Sequence, residues 1–109
     1  MNLSFTVKPV IIVSTYPDQK SVLKTANELV KKRLAACVNF SKISSIYSWK
    51  GKIENTDEFL ALFKTTQKNK VALKKAIQKM HPYDVPEIAE IDISSINQPY
   101  LKWLIESTN

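Results

Sequence analysis

The spacing of apolar side chains along the chain predicts alternating strands and helices. The run VIIVS, residues 10–14, is rich in β-branched residues and is bounded by Pro9 and by the turn-forming segment TYPD, which is typical of a buried strand. Asp18 is placed to cap a helix that continues to about Ala36, because apolar residues follow it at spacings of three and four. These apolar residues are Val22, Ala26, Leu29, Val30 and Leu34.

Residues 37–66 predict two long strands joined by a turn near Lys50 and Gly51. Within the first strand the apolar positions change parity, from Val38 and Phe40 to Ile43, Tyr47 and Trp49. A change of face without a loop residue predicts a β-bulge or bend between residues 41 and 44. The segment FLALF, residues 59–63, is apolar throughout, which predicts a central strand covered on both faces.

The remaining chain predicts a helix, a strand and a final helix. Residues 68–80 carry one apolar stripe, and His81 precedes Pro82, a position that disfavours helix. Residues 87–93, EIAEIDI, alternate as a half-buried strand does, and Pro99 marks the start of a helix over residues 97–107. The element order predicts an α+β, ferredoxin-like β-α-β-β-α-β sandwich with a four-stranded antiparallel sheet and a short C-terminal helix, in one domain over residues 1–109.

The length of the hairpin predicts self-association. A strand over residues 37–49 would run about 40 Å, whereas a compact domain of this size is about 35 Å across. The hairpin should therefore overhang its own domain and expose apolar side chains and unpaired backbone groups. Pairing with copies of the same chain in a closed oligomer is the simplest way to cover them.

Composition and charge narrow the class of protein. Hydrophobic residues make up 44% of the 109 positions and there is one glycine, which is typical of a globular protein. We find no segment long enough for a membrane span and no export signal, so we expect no membrane partner, and the single Cys37 favours a reducing, cytoplasmic setting. The net charge of +6 is spread over the predicted outer faces of helices, which favours solubility over a nucleic-acid patch.

Several motifs, in order, resemble the CutA family of divalent-cation tolerance proteins. They are RLAACVN, SIYSWKGKIE, LFKTT, HPYDVPEI and YLKWLIEST, and they extend the resemblance over nearly the whole chain. The resemblance implies a homotrimer of ferredoxin-like subunits whose long hairpin strands pair between subunits, a link to copper tolerance and copper binding, and no defined enzymatic activity. It also implies a recurrent polar cluster, formed here by Cys37, Tyr47, Trp49, Lys64, His81, Tyr83 and Glu87.

Candidate metal ligands follow from residue chemistry. Cu(II) favours imidazole and Cu(I) favours thiolate, so His81 and Cys37 are candidates, with Glu87 or Asp84 for hard ions. Copper-ligand sets proposed for some family members include a cysteine where this chain has Ser14 and a second histidine where it has Met80. We therefore predict weak binding of Cu(II) or another divalent cation and no obligatory cofactor. The alternatives are that His81 only caps a helix and that Cys37 only packs as a small apolar residue.

A pocket between subunits is the second candidate site. Lys64 ends the apolar FLALF strand and Glu87 opens the last strand, so a pair between them would satisfy both charges. With His81 and Tyr83 nearby, and with Tyr47 and Trp49 from a hairpin, they would line an inter-subunit pocket. Such a pocket either binds a ligand or only holds the trimer together.

We predict a homotrimeric divalent-cation tolerance protein that binds metal weakly or senses a small ligand, and that is not an enzyme. The alternative is a nucleic-acid-binding module, because the RNA-recognition motif shares the element order. Its glycine-containing aromatic signature is missing from EFLALFKT, so we do not expect a nucleic-acid partner. A phosphate-binding hydrolase would need a glycine-rich loop, which a single Gly51 cannot supply.

Overall fold

Seven elements follow one another along residues 7–109, the part of the chain that the structure, a computed structural model, describes. They are β1 (Pro9–Tyr16), α1 (Gln19–Lys31), β2 (Cys37–Trp49), β3 (Lys52–Thr66), α2 (Lys70–Met80), β4 (Ala89–Asp92) and α3 (Gln98–Ser107). The strands form one sheet in the order β2-β3-β1-β4, and every neighbouring pair is antiparallel. This confirms the predicted ferredoxin-like architecture and its additional C-terminal helix.

The main core lies between α1, α2 and one face of β1 and β3. Alternate residues of each strand point into it, because side chains in a strand change face at every step. The buried side chains include Val10, Ile12, Tyr16, Val22, Leu29, Ala61, Phe63, Leu73 and Ile77. The rings of Tyr16 and Phe63 pack with centroids 6.5 Å apart. The two central strands are thus anchored by the helices that cover them.

Helix α1 begins where predicted and ends earlier. The Asp18 carboxylate accepts a hydrogen bond of 2.7 Å from the backbone N–H of Ser21, which confirms the N-cap and lowers the pKa of Asp18. The prediction that the helix reaches Ala36 is wrong, because Arg33 has a φ of 64° and turns the chain out of the helix. Leu34 still packs against the core, so the apolar spacing continues beyond the end of the helix.

The β2–β3 hairpin is regular along its whole length. Its register runs without interruption from Cys37 opposite Lys64 to Trp49 opposite Lys52, so the predicted bulge is wrong. The parity change has another cause. Strand β1 pairs with β3 only as far as Phe59, so among residues 7–109 the segment 43–58, which we call the arm, pairs only with itself. Because neither face of the arm is covered by a helix, its apolar side chains need not all lie on one face of the hairpin.

The arm gives the molecule an elongated shape. The principal extents are 54 × 26 × 21 Å and the Cα radius of gyration is 15.0 Å, against about 13 Å for a compact domain of this length. The turn at its tip consists of Lys50 and Gly51, whose φ angles of 51° and 79° are those of a tight hairpin turn. The predicted overhang is confirmed.

Two other strand predictions differ from the structure. Strand β3 is central, as predicted from FLALF, but Leu60 and Leu62 on the face away from the helices are only half-buried, so within the single chain the second face is not fully covered. Strand β4 is shorter than the predicted residues 87–93, since only Ala89 to Asp92 pair with β1. Within residues 7–109 no helix is long and apolar enough to cross a membrane.

Helix α3 closes the end of the sheet that lies away from the arm. A small second core joins Ala36 to Leu101 and Leu104. Arg33 donates hydrogen bonds to the backbone carbonyls of Glu106 and Asn109. The two ends of the sheet therefore differ: α3 covers one, and the arm leaves from the other.

Candidate functional site

A cavity of about 450 Å³ begins at the base of the arm, at Glu58, and extends along one face of the hairpin to Trp49. Its lining comes from the end of β1, from the arm and from the segment that follows α2: Thr15, Tyr47, Trp49, Glu58, Tyr83, Asp84, Val85 and Glu87. Tyr47, Trp49 and Glu58 share a face of the hairpin because the register between β2 and β3 is unbroken. Four residues of the predicted inter-subunit pocket, namely Tyr47, Trp49, Tyr83 and Glu87, are brought together here.

Glu58 is the most buried acidic side chain of this cavity, although it is not among the site residues predicted from the sequence. It is 9% exposed, and the Tyr83 hydroxyl donates a hydrogen bond of 2.8 Å to its Oε2 atom. Burial, together with the adjacent Glu58 carboxylate, raises the pKa of Tyr83. Tyr83 therefore stays protonated at physiological pH and remains a hydrogen-bond donor to Glu58.

His81 lies behind the cavity and positions Tyr83. The backbone N–H of Tyr83 donates to His81 Nδ1 at 3.1 Å, so Nδ1 carries no proton, and Nε2 lies 3.1 Å from Ser14 Oγ. The imidazole stacks on the Tyr16 ring with centroids 4.4 Å apart, and its centroid is 5.1 Å from that of Tyr83. Burial lowers the pKa of His81, opposed by a hydrogen bond with the backbone of Thr15.

These contacts favour a structural role for His81. It is the C-cap residue of α2, with extended backbone angles of −72° and 135°, as its position before Pro82 predicted. Both ring nitrogens are already within hydrogen-bond distance of protein groups, so a metal ion would have to displace one of them. His81 also does not line the cavity.

The structure does not bring Lys64 or Cys37 to this cavity. The two residues face each other across β2 and β3, and Lys64 Nζ lies 5.6 Å from the centroid of the Tyr100 ring on α3. Lys64 is six residues along β3 from Glu58, which corresponds to about 20 Å. Lys64 and Glu87 therefore do not pair within one chain, because they lie at opposite ends of its sheet. A pair between subunits stays a prediction.

Cys37 is half-buried, and its Sγ atom lies 3.9 Å from Asn39 Oδ1. It belongs to neither core cluster, so the expectation that it packs as a core residue is not met within residues 7–109. With Lys64 it lies near α3, far from His81 and Glu87. Within one chain Cys37 is thus separated from the other predicted metal ligands.

The cavity carries uncompensated negative charge. Of the described residues that line it, three are acidic, Glu58, Asp84 and Glu87, and none is basic. The ion pairs found among residues 7–109 involve other carboxylates, those of Glu28, Asp57 and Glu90. In the same part of the chain, no three His, Cys, Asp or Glu side chains are grouped closely enough to hold a metal ion. The cavity can attract a cation without providing a tight coordination shell.

The open face of the sheet does not resemble an RNA-binding platform. On the two central strands this face carries Ile11, Val13, Leu60 and Leu62, which are aliphatic. RNA-recognition motifs stack bases on aromatic side chains at such positions. The face therefore lacks the groups that the alternative prediction requires.

Comparison with known proteins identifies the family. The fold and the overhanging hairpin first define a ferredoxin-like protein with a protruding β-arm. Residues 10–107 match the family described as CutA1 divalent ion tolerance protein. The divalent-cation tolerance protein CutA of Pyrococcus horikoshii is 44% identical over 99 residues, which cover 91% of this chain and 97% of that protein. The chain belongs to the CutA1 family, which confirms the resemblance seen in its motifs.

Solved structures agree with this assignment. The crystal structure of CutA1 from Pyrococcus horikoshii matches with a TM-score of 0.89 at 43% identity, covering 92% of this chain and 98% of the other. The crystal structure of CutA from Xylella fastidiosa matches with a TM-score of 0.91 at 35% identity, covering 94% and 99%. The fold described above is thus the fold of the family.

Proposed function

We propose that the chain acts as a homotrimer in tolerance to divalent cations, and that the cavity at the base of the arm is where it binds a cation. The family to which the chain belongs supports the first part. One observation carries the second: the cavity has three carboxylates, one of them only 9% exposed, and no basic residue among those that line it. A negatively charged cleft raises the local concentration of cations. The proposal includes no catalytic step.

We expect divalent metal to bind weakly. A tight site needs three or four convergent ligands, whereas the carboxylates of Glu58, Asp84 and Glu87 are not grouped in that way. Cu(II) or another divalent cation would be held largely as a hydrated ion, near Glu87 and Asp84, the two predicted ligands for hard ions that line the cavity. His81 would contribute indirectly, by holding Tyr83 in place.

Calorimetric titration of Cu(II) into the wild type and matched variants tests the metal proposal. Glu58→Gln and Glu87→Gln should each weaken binding, because each removes one charge from the cavity. Glu106→Gln removes one charge from α3, at the other end of the sheet, and should leave binding unchanged. Identical isotherms for the wild type and both cavity variants would contradict the proposed site.

The trimer is supported by the surface of the arm. Ile46 and Ile53 are 72% and 75% exposed and lie on the same face of the hairpin. Exposed apolar side chains on an isolated hairpin are a liability, and a second copy of the chain can cover them. Symmetric assembly would then place an arm of one subunit beside its neighbour.

Sedimentation velocity tests the assembly. The wild type should sediment with three times the chain mass of 12.4 kDa. The double variant Ile46→Lys/Ile53→Lys should shift to lower mass, whereas Val71→Lys, which charges an apolar position on α2 that is 55% exposed, should not. A wild-type monomer at micromolar concentration would refute the trimer.

A further inference from the structure

We propose that the ligand favoured by the cavity at the base of the arm is an organic ammonium ion, a primary amine on a short apolar chain, in preference to a bare metal ion. This inference rests on the proposed cation site and names the class of ligand that it takes. Three features of the cavity carry it: its charge, its aromatic lining and the spacing of its carboxylates.

The charge of the cavity favours a cation. Within residues 7–109 the only hydrogen bond to the Glu58 side chain comes from Tyr83, and no cationic side chain is paired with it. A largely desolvated carboxylate with one neutral donor gains from a charged donor, because charge-assisted hydrogen bonds are about twice as strong as neutral ones. Asp84 and Glu87 also repel anions from the same space.

The charges around Tyr83 agree with this description. Besides burial and Glu58, the Asp18 carboxylate contributes to raising its pKa. Negative potential at the Tyr83 hydroxyl therefore comes from more than one element of the structure. The same potential favours a cation within the cavity that this hydroxyl borders.

The aromatic lining selects an organic cation. Tyr47, Trp49 and Tyr83 all border the cavity, and aromatic faces attract ammonium groups while packing against the attached carbon chain. Val85, which is 74% exposed, adds an aliphatic contact at the rim. A hydrated metal ion makes no use of these apolar surfaces, whereas an alkylammonium ion contacts both the rings and the carboxylates.

The dimensions and the donor pattern favour a primary amine. A volume of about 450 Å³ lies in the range of small-molecule sites, which is far larger than a single ion needs. A primary ammonium group has three N–H donors, and the cavity offers carboxylate acceptors on separate elements: Glu58 from the arm, and Asp84 and Glu87 from the segment after α2. Among residues 7–109 no three such acceptors are grouped to hold one metal ion, whereas a group with diverging donors can use acceptors singly.

The fluorescence of Trp49 provides a direct assay. The chain has two tryptophans, so Trp103→Phe leaves Trp49, which lines the cavity, as the single reporter. In this background we would titrate n-butylammonium chloride, 1-butanol and sodium butyrate at constant ionic strength. Butylammonium should give a saturable change with an affinity at least about tenfold above that for butanol, because one charge-assisted contact contributes about that factor. Butyrate should give no saturable change.

Variants test the role of the carboxylate. Glu58→Gln keeps the shape of the side chain and an acceptor for Tyr83, and should weaken butylammonium binding by about tenfold. Glu87→Gln, at an exposed position, provides a second variant that leaves the core untouched and should also weaken binding. Glu106→Gln should bind butylammonium with the same affinity as the Trp103→Phe background. Thermal unfolding and sedimentation verify that each variant retains its fold and assembly.

The outcomes separate this inference from the proposed function. Equal responses to butanol and butylammonium, or unchanged binding by both cavity variants, would overturn the ammonium ligand. If calorimetry shows Cu(II) binding that depends on Glu58 while butylammonium fails to bind, the ammonium inference is wrong and the cation site stands. If neither cation binds to a correctly folded trimer, both are wrong.

Discussion

Removal of the Tyr83 hydroxyl should destabilise the protein through Glu58. In Tyr83→Phe the ring remains, but the donor that lies 2.8 Å from Glu58 Oε2 is lost. Glu58 is 9% exposed, so water only partly replaces that donor. Hydrogen bonds to charged groups contribute about 1.5–3 kcal/mol, and we expect the free energy of unfolding to fall by about that amount. For a domain of this size the corresponding fall in Tm is roughly 6–15 °C.

Thermal unfolding at a single protein concentration measures this loss, because the Tm of an oligomer depends on concentration. Tyr47→Phe is the matched control. The Tyr47 hydroxyl accepts a long hydrogen bond of 3.5 Å from Thr56 in an exposed setting, so removing it should lower the free energy of unfolding by less than about 0.5 kcal/mol. In a Glu58→Gln background the cost of Tyr83→Phe should fall to about 1 kcal/mol, since the acceptor is then neutral. Equal losses for Tyr83→Phe and Tyr47→Phe would refute the reasoning.

Three further measurements test other parts of the structure. Burial lowers the pKa of His81 below its ordinary value of 6.5, so the unfolded chain binds a proton at His81 more readily than the folded chain does. The free energy of unfolding should therefore fall as the pH drops from 7 through 6.5 towards the lower pKa of the folded state. In His81→Gln the difference in Tm between about pH 7.5 and about pH 5.5 should be smaller than in the wild type, and an unchanged difference would contradict this role. Gly51→Ala should lower the free energy of unfolding, measured by chemical denaturation, by about 1 kcal/mol, because residue 51 has a φ of 79°. Nothing lies within 4 Å of the added Cβ, so no steric clash adds to this cost. An unchanged free energy would argue against the turn described. Phe63→Ala, in the core against Tyr16, should cost about 3–5 kcal/mol, and a loss below about 1 kcal/mol would contradict its burial.

Much of the fold could be predicted because its signals are local. The cap at Asp18, the extended conformation of His81 before Pro82 and the apolar stripe of α2 each depend on residues a few positions apart. The overhang followed from strand length alone. The predicted bulge was wrong because alternation of apolar side chains indicates which face of a strand is covered. The arm has no covering layer, so its apolar side chains can change face without a bulge.

The candidate site was less predictable because it depends on distant pairing. Glu58 and Tyr83 are 25 residues apart, and only the folded chain shows that one donates to the other. The available signal was a carboxylate directly before the apolar run FLALF of β3, where burial would demand a partner. Within one chain Lys64 lies at the end of the sheet away from the cavity, because sequence spacing indicates that a strand ends there and does not show which loops lie beside it. Its predicted place in a pocket between subunits stays a prediction.

The hairpin also has a consequence for the order in which the protein folds. Its paired residues are neighbours in sequence around the Lys50–Gly51 turn, and hairpins of this kind form in microseconds. Pairing of Pro9 with Thr66 closes a loop of more than fifty residues, which costs more chain entropy and is slower. The arm should therefore form before the rest of the domain folds. Tyr47, Trp49 and Glu58 would then be positioned early, and the cavity would be completed only when residues 81–88 pack against the arm.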